Sequence, residues 1–271
     1  MDDKALRDTL SLVAKEFGNA AHDTILYENL GKHVFELKLI IDHLQPRAQL
    51  LDLGGGMGVN LLTLRKLGYT EATLHLMDQF EEYTDENRMG DSGKALELSR
   101  QNKIKIIAQN ILQQPQLPFE DSSLSMVTCF DVIEHLPRNP VKVLDEIHRV
   151  LMPGGVLLLS GPNAKSLMKR VKLVRGIHPY IPFNLWIQDK YFSHYREYTP
   201  EEYAALVKKC DFTDVEVKRV TEPSMTRARK HYHNKTYSAV SFTSVALITI
   251  AAIETVFPGL RSAVYCIASK K

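Results

Sequence analysis

Short apolar runs alternate with helical patterns along most of the chain, as in proteins whose parallel sheet is covered by helices. The apolar runs predict five strands, at residues 49–53, 73–78, 104–109, 124–130 and 156–160. Helical spacing of apolar residues predicts helices before and between them, at residues 3–17, 33–44, 94–100 and 140–151. Alternating positions predict a further strand at 212–220. The alternation predicts an α/β fold with a doubly wound parallel sheet, whose ligands bind at the carboxyl ends of the strands.

The first strand runs directly into a glycine-rich loop, LLDLGGGMGVN, at residues 50–60. Glycines permit backbone angles closed to other residues and let a ligand approach the main chain closely. Their spacing is G-x-G-x-G and not the dinucleotide pattern G-x-G-x-x-G. The second strand ends in Asp78, about 20 residues further on, where doubly wound folds contact a ribose. Its carboxylate can accept hydrogen bonds from both ribose hydroxyls. The pattern therefore favours a nucleotide-binding loop over a merely flexible turn.

The composition is that of an ordinary globular protein. The 271 residues are 44% hydrophobic and 24% charged with a net charge of +2, so no overall basic character indicates a nucleic-acid partner. Cys129, Cys210 and Cys266 are scattered and odd in number, which predicts neither a disulfide framework nor a metal site and fits a reducing compartment. The first ten residues, MDDKALRDTL, lack the apolar core of a signal peptide, so we expect a cytoplasmic protein.

Five segments carry a resemblance to a known family. They are LLDLGGGMG, LHLMD, AQNI, the apolar strand that runs into FDVIEHL, and LMPGGVLLLS. In this order and spacing they resemble the class I S-adenosylmethionine-dependent methyltransferases, and among these the small-molecule branch that includes the ubiquinone and menaquinone biosynthesis methyltransferases. The likeness covers roughly residues 35–165. It implies a Rossmann-like, mostly parallel sheet of seven strands, with an antiparallel last strand at 263–268, N-terminal helices and an inserted cap.

The resemblance also implies S-adenosylmethionine as cofactor, S-adenosylhomocysteine as product, and a set of cofactor-binding residues. Gly54, Gly56 and Gly58 would pass under the methionine part, and Asp78 would bind the ribose. Asn110, where the family often has Asp, would flank the adenine with Ile111, and Phe130 would lie beside the sulfonium. The complete predicted set is Asp52, Gly54, Gly56, Gly58, Asp78, Gln79, Asn110, Ile111 and Phe130.

We expect one methyltransferase domain over residues 1–271, composed of N-terminal helices (1–45), a cofactor-binding core (46–163), a substrate cap (164–198) and a C-terminal part (199–271). The cap begins with a basic stretch at 165–175, which is either a patch for an anionic acceptor or membrane or, as the favoured alternative, a solvated helix face. Residues 239–257 are almost uncharged. A helix that is buried or faces a partner is favoured there, with membrane-surface contact second and a membrane span last.

Methyl transfer is an in-line displacement, so the protein mainly aligns the acceptor with the methyl group, and a nearby base helps a hydroxyl lose its proton. His135 and His194 are the candidate bases, with Glu134 in support; His135 pinning the loop after the fourth strand is the alternative. Asp131, Glu134, His135 and His194 also resemble a two-acid, two-histidine metal site of some methyltransferases in the superfamily. The same string is frequent in relatives without a metal, so a divalent ion is not favoured.

The expected reaction is methylation of a small-molecule, glycan or lipid-linked acceptor, preferentially on oxygen, with no nucleic-acid partner. Peripheral membrane contact and a homo-oligomer formed through residues 239–257 remain open. The alternatives are a methyltransferase acting on protein or nucleic acid, and a binding or scaffold protein that kept the fold without the chemistry. The near-neutral charge and the absence of an Asn-Pro-Pro-Tyr-type motif weigh against the first alternative.

Overall fold

The computed structural model describes residues 1–18, 25–26, 29–80, 92–180, 194–221, 252–254 and 256–271. These residues form a seven-stranded sheet in the order β3-β2-β1-β4-β5-β7-β6. The strands are β1 (Gln49–Leu53), β2 (Thr73–Asp78), β3 (Lys105–Ala108), β4 (Leu124–Phe130), β5 (Leu151–Pro162), β6 (Phe212–Val220) and β7 (Ala263–Lys270). The neighbours from β3 to β5 pair in parallel, whereas β7 is antiparallel to both β5 and β6. The predicted sheet with its antiparallel last strand is therefore confirmed.

Helices cover both faces of this sheet. They are α1 (Asp3–Glu16), α2 (Leu30–His43), α3 (Val59–Lys66), α4 (Ser92–Gln101), α5 (Val141–Val150), α6 (Leu167–Val174) and α7 (Pro200–Lys209). One core packs α1, α2 and α3 against one face through residues such as Leu10, Leu37 and Leu61. The other core includes Ile147 of α5 and Tyr203 of α7.

The start of α7 shows how local sequence sets an element boundary. Thr199 accepts a hydrogen bond from the Glu202 backbone N–H at 3.2 Å, and the Glu202 carboxylate accepts one from the Thr199 N–H at 2.8 Å. Pro200 follows at the first helical position, where its missing N–H has no cost. The helix therefore begins at Pro200, with Thr199 as its N-cap.

Strand β5 is longer than the run at 156–160 predicts. It begins at Leu151, which pairs with Leu124 of β4, and the register shifts before Met126 pairs with Val156. The Pro153-Gly154-Gly155 sequence that ends α5 is thus taken into the strand as an irregularity. A Cβ at Gly155 would lie 2.8 Å from the Met152 carbonyl oxygen, so this tight path requires glycine.

The strand order reverses at β1, which lies between β2 and β4. At such a point the connections on the two sides run in opposite directions, and a crevice opens beyond the carboxyl ends of the strands. The glycine loop follows β1, Asp78 ends β2, and Asp131 follows β4. The fold therefore brings the predicted cofactor residues to one edge of the sheet.

Several predicted segments lie outside the described residues. They include most of the helix predicted at 239–257, residues 181–193 of the predicted cap, and residues 19–24 and 27–28 of the predicted N-terminal part. Across the described ranges, no helix combines the length and the apolar character needed to cross a bilayer.

Candidate active site

The glycine loop after β1 passes very close to the segment that follows β4. Gly54 has a φ of +70°, and its N–H donates to the Met77 carbonyl at 2.8 Å. A Cβ at Gly54 would lie 2.4 Å from Cγ2 of Val132, so a side chain fits neither the backbone angle nor the space. Glycine is therefore required here for the close packing of the loop against the segment that follows β4.

Asp78 ties the tip of β2 to this loop. Its Oδ2 accepts a hydrogen bond from the Gly56 N–H at 2.9 Å, and its Oδ1 accepts one from the Gln79 N–H at 2.7 Å. The side chain is partly exposed. An ionised carboxylate is an acceptor-only group, which is the type of side chain that binds the hydroxyls of a ribose. The arrangement fits the role predicted for this residue.

Asp52 lies beneath the loop, where it is almost completely buried. Its Oδ1 accepts a hydrogen bond from the Thr128 hydroxyl at 2.6 Å, and a Cβ at Gly55 would lie 2.5 Å from its Oδ2. Burial raises the pKa of Asp52 to about 7, although the Thr128 hydrogen bond acts in the opposite direction. In the described structure, Asp52 therefore contacts the loop from below.

The remaining predicted cofactor residues follow β2, β3 and β4. The Asn110 side-chain amide donates to Gln79 Oε1 at 2.8 Å, and Asn110 Oδ1 accepts the Leu112 N–H at 2.9 Å. Ile111 packs, partly buried, against the core under α5. The Phe130 ring lies 6.0 Å from the Tyr265 ring between centroids. These contacts orient the side chains at the crevice, while their roles toward a cofactor stay predictions.

Two distant segments bring the candidate catalytic residues together. Glu134 and His135 belong to a single 3-10 turn, Ile133–His135, that follows β4, and His194 precedes α7. The Tyr195 N–H donates to the Glu134 carbonyl at 2.7 Å and joins the segments. The His135 and His194 rings meet edge to face with 4.8 Å between centroids. We call Glu134, His135 and His194 the histidine cluster.

His194 is held by a carboxylate that we did not predict as a site residue. Its Nδ1 lies 2.9 Å from Oε1 of Glu197, which is buried and also pairs with Lys169 of α6. If Nδ1 carries the proton donated to Glu197, Nε2 is left with its lone pair free to accept another. Glu197 thus defines which nitrogen of His194 acts as a base.

Burial and neighbouring charges shift the pKa values around the cluster in different directions. Burial, followed by the Asp131 charge, raises the pKa of Glu134 to about 8. Burial, followed by His135, lowers the pKa of His194 to about 4. Burial alone would raise the pKa of Asp131, but its ion pair with Lys32 outweighs burial and lowers it. At neutral pH the site therefore contains an ionised Asp131, a largely protonated Glu134 and a neutral His194.

The histidine cluster has the composition of a metal site. Each member offers one ligand atom, and these atoms lie within 4.8 Å of one another. Asp131, the fourth residue of the metal alternative, instead pairs with Lys32 of α2. Three of the four residues thus converge as a divalent ion would require, whereas the fourth is neutralised by a lysine.

A buried polar network below the crevice was missed at the level of sequence. Glu36 of α2 accepts a hydrogen bond from the Asn60 amide at 2.9 Å, and His33 Nδ1 lies 3.0 Å from Asn60 Oδ1. Lys32 approaches Glu36 to 3.8 Å. These contacts connect the first turns of α2 and α3, on both sides of the glycine loop. The available signal was Asn60, a poor helix former placed directly after the glycines.

An open cavity of about 350 Å³ adjoins His194. Its wall consists of Ala164, Tyr180, His194, Tyr195, Arg196, Glu197 and Glu202. A cavity of this size accommodates a small ring or sugar, and its wall combines aromatic and charged groups. His194 and Glu197 are therefore paired with each other and also line a cavity in which a small acceptor fits.

Comparison with known proteins agrees with this geometry. The family model described as "Methyltransferase domain" matches residues 30–217. The chain is 24% identical, over 185 residues, to the chloroplastic 2-methyl-6-phytyl-1,4-hydroquinone methyltransferase 2 of Oryza sativa; the match covers 68% of this chain and 44% of the relative. The chain spans less than half the length of the curated relatives it matches.

Two solved structures show the same fold. Phosphoethanolamine N-methyltransferase 2 of Haemonchus contortus, in complex with S-adenosylmethionine, has a TM-score of 0.59 at 18% identity, covering 98% of this chain and 60% of that one. A methyltransferase from Archaeoglobus fulgidus has a TM-score of 0.54 at 17% identity, covering 91% of this chain and 99% of that one. From the family match, the strand order and the glycine loop, we conclude that the chain belongs to the class I S-adenosylmethionine-dependent methyltransferases.

Proposed function

We propose that this chain transfers the methyl group of S-adenosylmethionine to a hydroxyl of a small-molecule, glycan or lipid-linked acceptor. The observation that carries the proposal is the pair formed by His194 and the buried Glu197, with 2.9 Å between Nδ1 and Oε1, in the wall of an open cavity. The relative from rice supports an acceptor of small-molecule type, since its name describes a hydroquinone. The glycan and lipid-linked classes are compatible with the open cavity.

The residues at the crevice fit the cofactor. Gly54 lets the loop pass close to Val132, Asp78 places an acceptor-only carboxylate against the loop, and Phe130 provides a partly exposed ring at the end of β4. When bound, S-adenosylmethionine supplies a methyl group on a sulfonium, whose departure as a neutral thioether leaves alignment as the main requirement. The protein aligns the acceptor through the cavity wall and removes its proton through the histidine cluster.

His194 is the proposed base. Its lowered pKa keeps the imidazole neutral throughout the physiological range, so that Nε2 accepts the hydroxyl proton as the oxygen attacks. Glu197 then stabilises the positive charge that develops on the ring, and Lys169 holds Glu197 in place. His135, in edge-to-face contact with His194, limits how that ring can rotate. Glu134 is the supporting group from the same turn as His135.

We also infer a reducing, cytoplasmic location. Cys129, Cys210 and Cys266 are all free and buried, as expected for a chain that folds without disulfides. Burial raises the pKa of each thiol, so these cysteines act as apolar packing groups. Fractionation of the cells that produce the protein tests this location.

Calorimetry with S-adenosylhomocysteine tests the cofactor site. Asp78→Ala removes two charge-assisted hydrogen bonds to the ribose, worth about 1.5 kcal/mol or more each, so we expect at least about 100-fold weaker binding. Asp42→Ala, which removes an exposed carboxylate of α2, is the control and should bind like wild type. Failure of wild type to bind, or equal affinity of the Asp78 variant, would contradict the assignment.

A panel of quinols, catechols, sugars and amines, assayed with labelled S-adenosylmethionine, tests the acceptor class. We expect transfer to a hydroxyl compound, and a fall of about 100-fold or more in His194→Asn, which keeps a polar group but loses the base. Methylation of amines with no dependence on His194 would reject the base-assisted reaction. Binding of cofactor without transfer to any member would favour the scaffold alternative.

A further inference from the structure

The chain has a long stretch without acidic residues immediately before and within the predicted cap. Between Glu146 and Asp189 there is no aspartate or glutamate. The stretch contains the cations Arg149, Lys165, Lys169, Arg170, Lys172 and Arg175. In a protein of nearly neutral net charge, this makes the surface around α6 locally basic.

Helix α6 has no buried residue, although five of its eight side chains are apolar. Leu173 is 60% exposed and Val174 is 89% exposed, and Ile177 in the following turn is 46% exposed. Val171, one turn before Val174, is 36% exposed. Single exposed apolar residues are ordinary, but four within seven positions make this segment an apolar patch of the surface.

The cations of this segment fall into two groups. Lys165 pairs with Glu201 and Lys169 with Glu197, so their charges are used within the protein. Arg170 and Lys172 donate instead to the carbonyls of Lys165 and Pro179, and in the described ranges no carboxylate pairs with them or with Arg175. The apolar patch is therefore flanked by three positive charges that the described carboxylates leave uncompensated.

We propose that residues 170–177, which we call the basic apolar surface, dock on an anionic membrane. Val171, Leu173, Val174 and Ile177 enter the interface, while Arg170, Lys172 and Arg175 contact lipid phosphates. Charge complementarity selects this occupant. A second copy of the chain would oppose like charges, and a single-stranded nucleic acid would require stacking aromatic rings where the surface has aliphatic side chains.

The position of this surface connects it with the reaction. Ala164 and Tyr180, on the two sides of α6 in the chain, both line the cavity beside His194. A docked α6 therefore holds the cavity near the bilayer surface, where a lipid-linked acceptor enters from the membrane. This connection rests on the proposed methyltransferase function, whereas docking itself does not.

Flotation with lipid vesicles tests the docking without requiring catalysis. We expect the full chain to bind vesicles of phosphatidylcholine with about one third phosphatidylglycerol, and to bind pure phosphatidylcholine at least about tenfold less tightly. Neutralising Arg170, Lys172 and Arg175 to Gln should weaken binding about 100-fold, since each cation near an anionic surface contributes about fivefold. Leu173→Ser with Val174→Ser should weaken it by about tenfold or more.

Matched variants show whether the effect belongs to this surface. Lys208→Gln with Lys209→Gln removes exposed cations of α7, and Leu12→Ser removes an exposed leucine of α1; both should bind vesicles like wild type. All variants should retain affinity for S-adenosylhomocysteine, which separates a failure of docking from a failure of the cofactor assignment. Equal binding of both vesicle types, undiminished binding of the triple Gln variant, or a change from dimer to monomer in the Leu173 and Val174 variant would overturn the proposal.

Discussion

Gly161 lies where β5 meets the candidate site, and replacing it tests the packing there. Gly161 pairs with Val264 of β7, and a Cβ on it would lie 2.1 Å from the Tyr203 hydroxyl oxygen and 3.1 Å from Glu134 Oε2. Tyr203 is completely buried, so its ring cannot retreat into solvent. Gly161→Ala should therefore force a shift of the ring, of β5, or of the turn that carries Glu134.

The cost follows from the rigidity of the neighbours. Overpacking a well-filled core by one methyl group costs about 1–3 kcal/mol, and a 2.1 Å contact with a buried ring places this substitution at the upper end. Among the described residues, the Tyr203 hydroxyl has no hydrogen-bond partner. Tyr203→Phe should therefore lose little stability. In the double variant the nearest ring atom of residue 203, Cζ, lies 3.3 Å from the Cβ of the new alanine. The double variant should recover about 2 kcal/mol relative to the sum of the single variants.

Urea unfolding, followed by circular dichroism at neutral pH, measures the four free energies of this cycle. Gly259→Ala is the control for adding a methyl group, because a Cβ there meets no atom within 4 Å, and it should change stability by less than about 0.5 kcal/mol. If Gly161→Ala is neutral, or if the two substitutions add within about 0.5 kcal/mol, the described packing of Tyr203 against β5 is wrong.

Three further predictions concern ionisation and ligands. Burial raises the pKa of Asp52 from 3.8 to about 7, so the folded state binds this proton more tightly than the unfolded state, and stability falls as pH rises between those values. Asp52→Asn cannot ionise and escapes this loss. Its free energy of unfolding in urea, relative to that of wild type, should therefore rise by roughly 4 kcal/mol between pH 4 and pH 8. Glu197→Gln removes the charge next to His194, so the pKa of His194, measured by NMR, should fall further, and an unchanged value would reject the pairing. Chelators should leave methyl transfer unaffected, whereas loss of activity restored by magnesium or zinc would place an ion at Glu134, His135 and His194.

Local sequence was enough to predict the glycine loop and the carboxylate that ends β2, while their roles toward a cofactor stay predictions. Both features belong to one βαβ unit, in which β1 and β2 are joined by a single helix. The chain between them is short, so it determines where the glycine loop lies relative to the end of β2. The hydrogen bond between the Gly56 N–H and Asp78 is an example, since Gly56 lies in the loop after β1 and Asp78 ends the neighbouring parallel strand β2. The predicted strand at 263–268 also proved to be antiparallel, as the resemblance implied.

The acceptor side depends on contacts that no spacing reveals. Lys32 reaches Asp131 from α2, Lys169 reaches Glu197 from α6, and each pair joins side chains far apart in the chain. Lys32 lowers the pKa of Asp131 against the effect of burial, and both influences exist only after the two cores have formed around the sheet.

The sequence by itself determined the succession of strands and helices along the chain, the glycine loop and the family resemblance. These features depend on periodicity and on residues that are close together in the chain. Only the tertiary structure decided which carboxylate orients His194, which lysine neutralises Asp131, and that Val171, Leu173 and Val174 of α6 face solvent. The physical reason is that proximity across the chain, and the loss of water that accompanies it, are properties of the packed fold.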